Sequence, residues 1–359
     1  MTDNSIFQAD AVVDADRDNV VVSTPKKLDV RTQRICNCPP THLNCLTPKE
    51  WIKCQMGVWQ FSYEGRDIRD KTKHPATFPI ALARRCIELF SHQGELILDP
   101  FLGSGTTLVA ARDSSRNAVG FDIHPDYIAL TQERISQGSL FSETKQIAVL
   151  DDARHIPQYL EEESITCIVT SPPYANLLNR KRKNKSHRGD ARKNDQYMKV
   201  EQYSQRPEDL GTLELDAYAV AMADIFRGLL PLLKRKGHCV INVPDMWWEN
   251  QRITIHVALI EALRSVGYEL RNTIIWDRMN IVNKVGIFGW PSNYITMGTT
   301  FEYLLDFWRP PTDVETEFDR VEQPSNGQNA KANHGSQPEN GRFPQELQAL
   351  LDEYNTQSE

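Results

Sequence analysis

An α/β fold with a mostly parallel sheet and helices on both faces is predicted by three observations. Short apolar runs at 96–98, 117–123, 147–150, 165–169 and 238–244 alternate with helical stretches. The first run, Leu96-Ile97-Leu98, passes through Asp99-Pro100 into a turn holding Gly103 and Gly105, then into a helical stretch from Thr106 to Arg112. The run at 165–169 delivers Thr170-Ser171-Pro172-Pro173-Tyr174 at its carboxyl end, where sheets of this class bind ligands.

Bulk properties narrow the class. The chain has 359 residues, 40% hydrophobic and 25% charged, which is ample for a core. A net charge of −7 argues against attraction of nucleic acid by the whole surface, so such contact needs a local basic patch. The first residues lack the basic and apolar regions of a signal peptide, and no apolar run is long enough to span a membrane. Seven cysteines, an odd number, fit free thiols in a reducing cytoplasm.

Taken in order, residues 1–30 read as a polar tail and 31–310 as one domain. Cys36, Cys38, His42, Cys45 and Cys54 lack paired Cys-x-x-Cys knuckles, so they read as free cysteines in a loop-rich segment and no metal is expected. Trp51, Trp59, Phe61 and Tyr63 read as core aromatics, with a base-stacking surface the minority reading. Ile80, Ala83, Ile87 and Phe90 recur at helical spacing over 80–91. The strand at 117–123 ends on Asp122, about twenty residues after the glycines, where a carboxylate can accept both ribose hydroxyls of a nucleoside. A helix at 125–137, a strand at 147–150 and the strand at 165–169 follow. Beyond the Ser-Pro-Pro-Tyr turn comes a polar insertion, 175–213, with Arg180, Lys181, Arg182, Lys183, Lys185 and Arg188. A charge run is usually solvated loop, but directly after that turn in an acidic chain it reads as a phosphate-contacting loop. A helix at 215–236, a strand at 238–244, a helix at 252–266 and strands at 268–276 and 301–308 complete the domain. The segment 277–300, with Asn280, Asn283, Lys284, Phe288 and Trp290, is a candidate recognition loop. Residues 311–359 read as a polar tail, with a short helix at 343–354.

Asp-Pro-Phe-x-Gly-Ser-Gly-Thr-Thr at 99–107 and Thr-Ser-Pro-Pro-Tyr at 170–174 resemble the paired motifs of DNA amino-methyltransferases. The resemblance covers about residues 74–309. It implies a Rossmann-like class I methyltransferase fold with a seven-stranded sheet, one of its last two strands antiparallel. It implies S-adenosyl-L-methionine as cofactor, held by Asp99, Pro100, Phe101, Gly103, Ser104, Gly105, Thr106, Asp122 and Ile123. It places Asp152 on the adenine amino group and Thr77 near the methionine end. Ser171, Pro172, Pro173 and Tyr174 are the implied catalytic turn.

That turn suits an aryl amine, a poor nucleophile whose lone pair is shared with its ring. The Ser171 hydroxyl and Pro172 carbonyl are acceptors for its hydrogens. Two prolines fix φ and leave no N–H to compete. The Tyr174 ring can stack on a base extruded from the duplex. Tyr174 after Pro173, in place of cysteine, argues against methylation at ring carbon 5. Serine at the first position leans, by the resemblance, towards cytosine N4 in duplex DNA. Adenine N6, an RNA guanine amine, a protein glutamine amide and a non-enzymatic nucleic-acid-binding subunit are the alternatives. A cognate restriction endonuclease and a place at the nucleoid are expected partner and location, with no membrane. The cofactor motifs precede Ser-Pro-Pro-Tyr, the reverse of one large subgroup, so the recognition region is not placed by analogy.

Overall fold

Strands β1 (Ala11–Asp14) and β2 (Val20–Val22) pair antiparallel at one edge of the main sheet. Helix α1 (Pro48–Ile52) follows Thr47, whose N–H is accepted by Glu50 Oε2 at 2.8 Å in a capping box. Strand β3 (Val58–Gln60) leads to helix α2 (Ile80–Phe90), strand β4 (Leu96–Asp99), helix α3 (Thr106–Asp113) and strand β5 (Asn117–Asp122). Helix α4 (Pro125–Ser136), β6 (Gln146–Leu150), a 3-10 turn over Ala153–Gln158 and β7 (Ile165–Thr170) come next. Then come α5 (Leu215–Leu229), β8 (Leu233–Val243), the hairpin β9 (Met246–Trp248) and β10 (Gln251–Ile253), and α6 (Ile255–Ser265). Strand β11 (Glu269–Asp277), the short pair β12 (Gly289–Trp290) and β13 (Tyr294–Ile295), and β14 (Phe301–Trp308) end the fold.

This computed structural model describes residues 11–14, 20–22, 27–65, 67, 78–137, 144–175, 209–248, 251–281, 289–290, 294–295 and 299–312. Thr77, the basic residues Arg180, Lys181, Arg182, Lys183, Lys185 and Arg188, most of the candidate recognition loop and the expected tail beyond 312 lie outside them.

The main sheet has ten strands in the order β2-β1-β6-β5-β4-β7-β8-β14-β11-β3. From β6 to β8 all neighbours are parallel, and β14 runs antiparallel to both β8 and β11. The expected seven strands form its centre, with β1, β2 and β3 added at the edges. Register explains the two-sided core. Leu98 pairs with Val119 and Ile168, and Val119 with Ile147, so these four share one face. They pack with Met222, Phe226 and Leu229 of α5 and with Leu259 and Leu263 of α6. Ile97, paired with Ala118 and Cys167, faces the other way into Ile80, Ala83 and Ile87 of α2 and Leu108 of α3. Each fully buried Leu or Ile contributes about 1.5–3 kcal/mol, so a central strand apolar on both faces is held firmly.

Three expectations are corrected. The polar tail over 1–30 contains β1 and β2, because Ala11–Asp14, with β-branched Val12 and Val13, pairs antiparallel with the open edge of β6. The helix expected over 215–236 ends at Leu229. Pro231 lacks an N–H and the chain turns through Leu230–Leu232 into β8. Residues 251–253 are strand, not helix: buried Asp245 accepts from Arg252 Nε at 3.2 Å and bonds His256 Nδ1 at 2.6 Å, tying β10 back before α6 begins. Of the aromatics read as core, Trp59 and Phe61 are buried and meet edge to face at 6.1 Å, with the Arg85 guanidinium over both rings, while Trp51 and Tyr63 are half-buried.

Candidate active site

Strand β4 ends at Asp99, whose carboxylate is only 1% exposed. Its Oδ1 accepts from Phe101 N at 3.1 Å and from the Thr170 hydroxyl at 2.6 Å. Thr170 is the last residue of β7, so one buried carboxyl joins the glycine turn to the Ser-Pro-Pro-Tyr turn. Burial, opposed by hydrogen bonds from Thr107, Thr170 and Phe101, pushes Asp99 up to about 6.

The glycine turn is held from behind. Gly103 and Gly105 have φ of 51° and 77°. A Cβ at 105 would lie 2.5 Å from Thr131 Oγ1, so the left-handed backbone and close helix approach both require glycine there. Buried Arg134 of α4 donates to Ser104 O at 2.5 Å, Ser104 Oγ at 3.1 Å and Thr106 Oγ1 at 3.2 Å. Ser104 and Thr106, at the start of α3, line the cleft, where a helix N-terminus presents N–H groups that have no partner within the helix.

Asp122, at the end of β5, accepts from Gly103 N at 2.8 Å and His124 N at 2.9 Å. Each carboxylate oxygen keeps a further lone pair for a ligand. Burial, against these two bonds and reinforced by the charges of Asp99 and Asp209, pushes Asp122 up to about 7. At the end of β6, Asp151 accepts from Asp152 N and the Tyr159 hydroxyl and bonds His155 Nδ1, each at 2.7 Å. Asp152 caps the 3-10 turn, accepting from Arg154 N at 2.8 Å and its guanidinium at 2.7 Å.

In the second turn the Ser171 hydroxyl lies 3.2 Å from the Tyr174 hydroxyl. Ala175, buried, takes φ 48°, in the left-handed region. Asp209, only 4% exposed, accepts from Gly211 N at 2.8 Å through Oδ1, while Oδ2 has no hydrogen-bond partner among the described residues.

These pieces border one cleft of about 880 Å³, its open mouth included, a size suited to a small-molecule site. Of the residues expected from sequence, Pro100, Phe101, Gly103, Ser104, Thr106, Asp122, Ile123, Asp152 and all of Ser171, Pro172, Pro173 and Tyr174 line it. Asp99 and Gly105 do not: they sit behind the wall and shape it. Sequence reading missed Phe78, Phe121, Tyr127, Asp151, Asp209 and Leu210, which also line it. Phe78 adjoins the Pro79 helix start and was within reach; Asp209 belongs to no motif.

Residues 20–133 match the DNA methylase family model of the N6/N4 type. The type II methyltransferase M.BglI of Bacillus subtilis is 34% identical over 113 residues, 31% of this chain and 31% of that protein. M.ScaI of Streptomyces caespitosus is 44% identical over 82 residues, 22% of this chain and 27% of that protein. The chain thus spans under a third of the length of these curated relatives. Among solved structures, an rRNA methylase from Streptococcus thermophilus aligns at 12% identity over 66% of this chain and 98% of its own, with a TM-score of 0.37, too low to bear on function.

Proposed function

We propose, starting from a chain whose residues 20–133 match the N6/N4 DNA methylase family model, that it methylates the N4 amine of cytosine in duplex DNA with S-adenosyl-L-methionine as donor. One observation carries the reading: the glycine turn and the Ser-Pro-Pro-Tyr turn face the same cleft, locked together by Asp99.

The residues present fit a nucleoside bearing an amino-acid tail. Asp122 has lone pairs for ribose hydroxyls, Asp151 and Asp152 border an adenine position, and the first turn of α3 offers N–H groups. The donor, when bound, supplies a methyl group on a sulfonium. Ser171 Oγ and Pro172 O accept the target amine's hydrogens, which favours a pyramidal nitrogen with its lone pair free for attack. The Tyr174 ring stacks on the extruded base, and much of the rate comes from this positioning. Serine in place of Asp or Asn at the turn's first position is what favours cytosine over adenine.

The type II relatives support a role beside a restriction endonuclease cutting the same site, and hence action at the nucleoid. Arg180, Lys181, Arg182 and Lys183 are proposed to contact phosphates. Neutralising all four is expected to weaken DNA binding on every sequence and flatten its salt dependence, each lost contact removing a slope of roughly 0.9. An unchanged slope in fluorescence titrations across salt concentrations removes the loop from the interface.

The state of Asp122 predicts a pH dependence. Its carboxylate accepts ribose hydroxyls best when ionised, so affinity for S-adenosylhomocysteine is expected to fall below pH 7, by about tenfold per unit. The ligand-free fold shows the opposite sign. A raised folded value means that the stability contributed by Asp122 is complete below about pH 4 and lost as pH rises through about 7. Calorimetric titrations at pH 6 and 8 check the first trend, and Asp122→Asn should flatten it.

The function is tested by incubating the protein with methyl-labelled donor and DNA, RNA or protein acceptors. Label is expected in duplex DNA. Label confined to RNA or protein overturns the substrate, and absence of transfer with intact donor binding points to a non-enzymatic subunit.

A further inference from the structure

Away from the cleft, the loop segment 31–46 lies over the C-terminal end of α2. Ile35 N donates to Gln93 O at 2.8 Å, and Asn44 Nδ2 to Leu89 O at 2.5 Å. Gly94, with φ of 84°, lets the two segments touch, since a Cβ there would lie 2.8 Å from Gln33 O. The packing gathers Cys36, Cys38, Cys45 and His92, whose ligand atoms all lie within 4.8 Å of one another. Cys45 Sγ is 3.5 Å from Cys36 Sγ and 3.6 Å from Cys38 Sγ. His92 Nδ1 is 3.2 Å from Cys36 Sγ and 3.9 Å from Cys45 Sγ.

These four spacings, with the remaining pairs inside 4.8 Å, lie close to the edges of a zinc tetrahedron. Zinc bonds of about 2.3 Å to sulfur and about 2.0 Å to nitrogen give edges of about 3.7 and 3.5 Å. They are far longer than the roughly 2.05 Å of a disulfide. We propose that Cys36, Cys38, Cys45 and His92 form a structural zinc site that fastens the N-terminal segment to α2.

Three thiolates and an imidazole select zinc among common divalent ions, and four protein ligands leave no open position for catalysis. Supporting contacts are in place. Gln93 N donates to Cys45 Sγ at 3.3 Å. The buried Arg116 guanidinium, bonded to Ser91 Oγ at 3.2 Å and Ser91 O at 2.6 Å, lies within electrostatic reach of Cys45 and Cys36 and offsets the net negative charge of the loaded site. The site stands at the far end of α2 from Phe78, a cleft residue. At about 1.5 Å per residue, the 11 residues of Ile80–Phe90 separate the two by about 16 Å. The absence of a metal expected from sequence is thus revised: His92, 47 residues from Cys45, is the ligand that local spacing concealed.

The test uses the full chain, purified without chelators from zinc-supplemented cells. Elemental analysis should find about one zinc per chain. Cobalt exchanged into the wild type should give thiolate charge-transfer bands and the intense visible bands of a tetrahedral ion. Cys45→Ser and His92→Ala should each reduce bound zinc to near zero, whereas His92→Cys should retain it as a fourth thiolate. Wild-type protein without zinc after reconstitution overturns the proposal. So does a disulfide among the three cysteines, or full zinc in both loss variants. If the variants fail to fold, the wild-type cobalt spectrum decides alone.

Discussion

Ser171→Ala is expected to lower methyl transfer about ten- to a thousandfold while leaving donor affinity unchanged, the loss seen when one preorganised polar contact is removed from a reacting centre. The hydroxyl lies at the end of β7, and its position is set by neighbours the substitution leaves intact. Thr170 stays bonded to Asp99, and Pro172 and Pro173 keep their fixed φ. The variant therefore removes an acceptor and little else. Its one local side effect is on the Tyr174 hydroxyl, which loses a partner at 3.2 Å. Tyr174→Phe, measured beside it, separates that effect. Single-turnover transfer and donor binding by calorimetry are the readouts, and full turnover in Ser171→Ala makes the residue merely structural.

Asp122→Ala should act on the opposite half of the cleft, weakening donor binding by about 1–3 kcal/mol, or roughly five- to 150-fold, because hydrogen bonds to a charged group are lost. The carboxylate does two jobs. It borders the cleft, and it accepts from Gly103 N and His124 N, which fixes the glycine turn. Asp122→Asn retains one acceptor oxygen and should fall between wild type and alanine. Calorimetry with S-adenosylhomocysteine reads both, and an unchanged affinity removes Asp122 from the site.

The parallel centre of the sheet was legible because buried strands write their period directly into sequence. Leu96, Ile97 and Leu98 are apolar on both faces, and Gly105 marks a backbone that no other residue takes easily. The two turns that line the cleft were legible for the same reason, since glycine and proline state their conformation locally. What escaped is non-local. Arg134 clamps the glycine turn from 30 residues away, and Asp245 folds back β10 from across a hairpin. Asp99 belongs to a motif, but its buried tie to Thr170 spans 71 residues and so was not legible in that motif. His92 joins three cysteines only after α2 has packed.

The most direct measurement is the chemical identity of the product. Duplex DNA carrying many sequence contexts is incubated with the protein and methyl-labelled S-adenosyl-L-methionine, digested to nucleosides and separated by mass spectrometry. Neutral acceptors at Ser171 and Pro172, with the Tyr174 ring beside them, predict label in N4-methylcytosine within a short fixed sequence. Label in N6-methyladenine would contradict the base assignment, and label in 5-methylcytosine would contradict the direct attack of an amine on which the reading of the cleft depends.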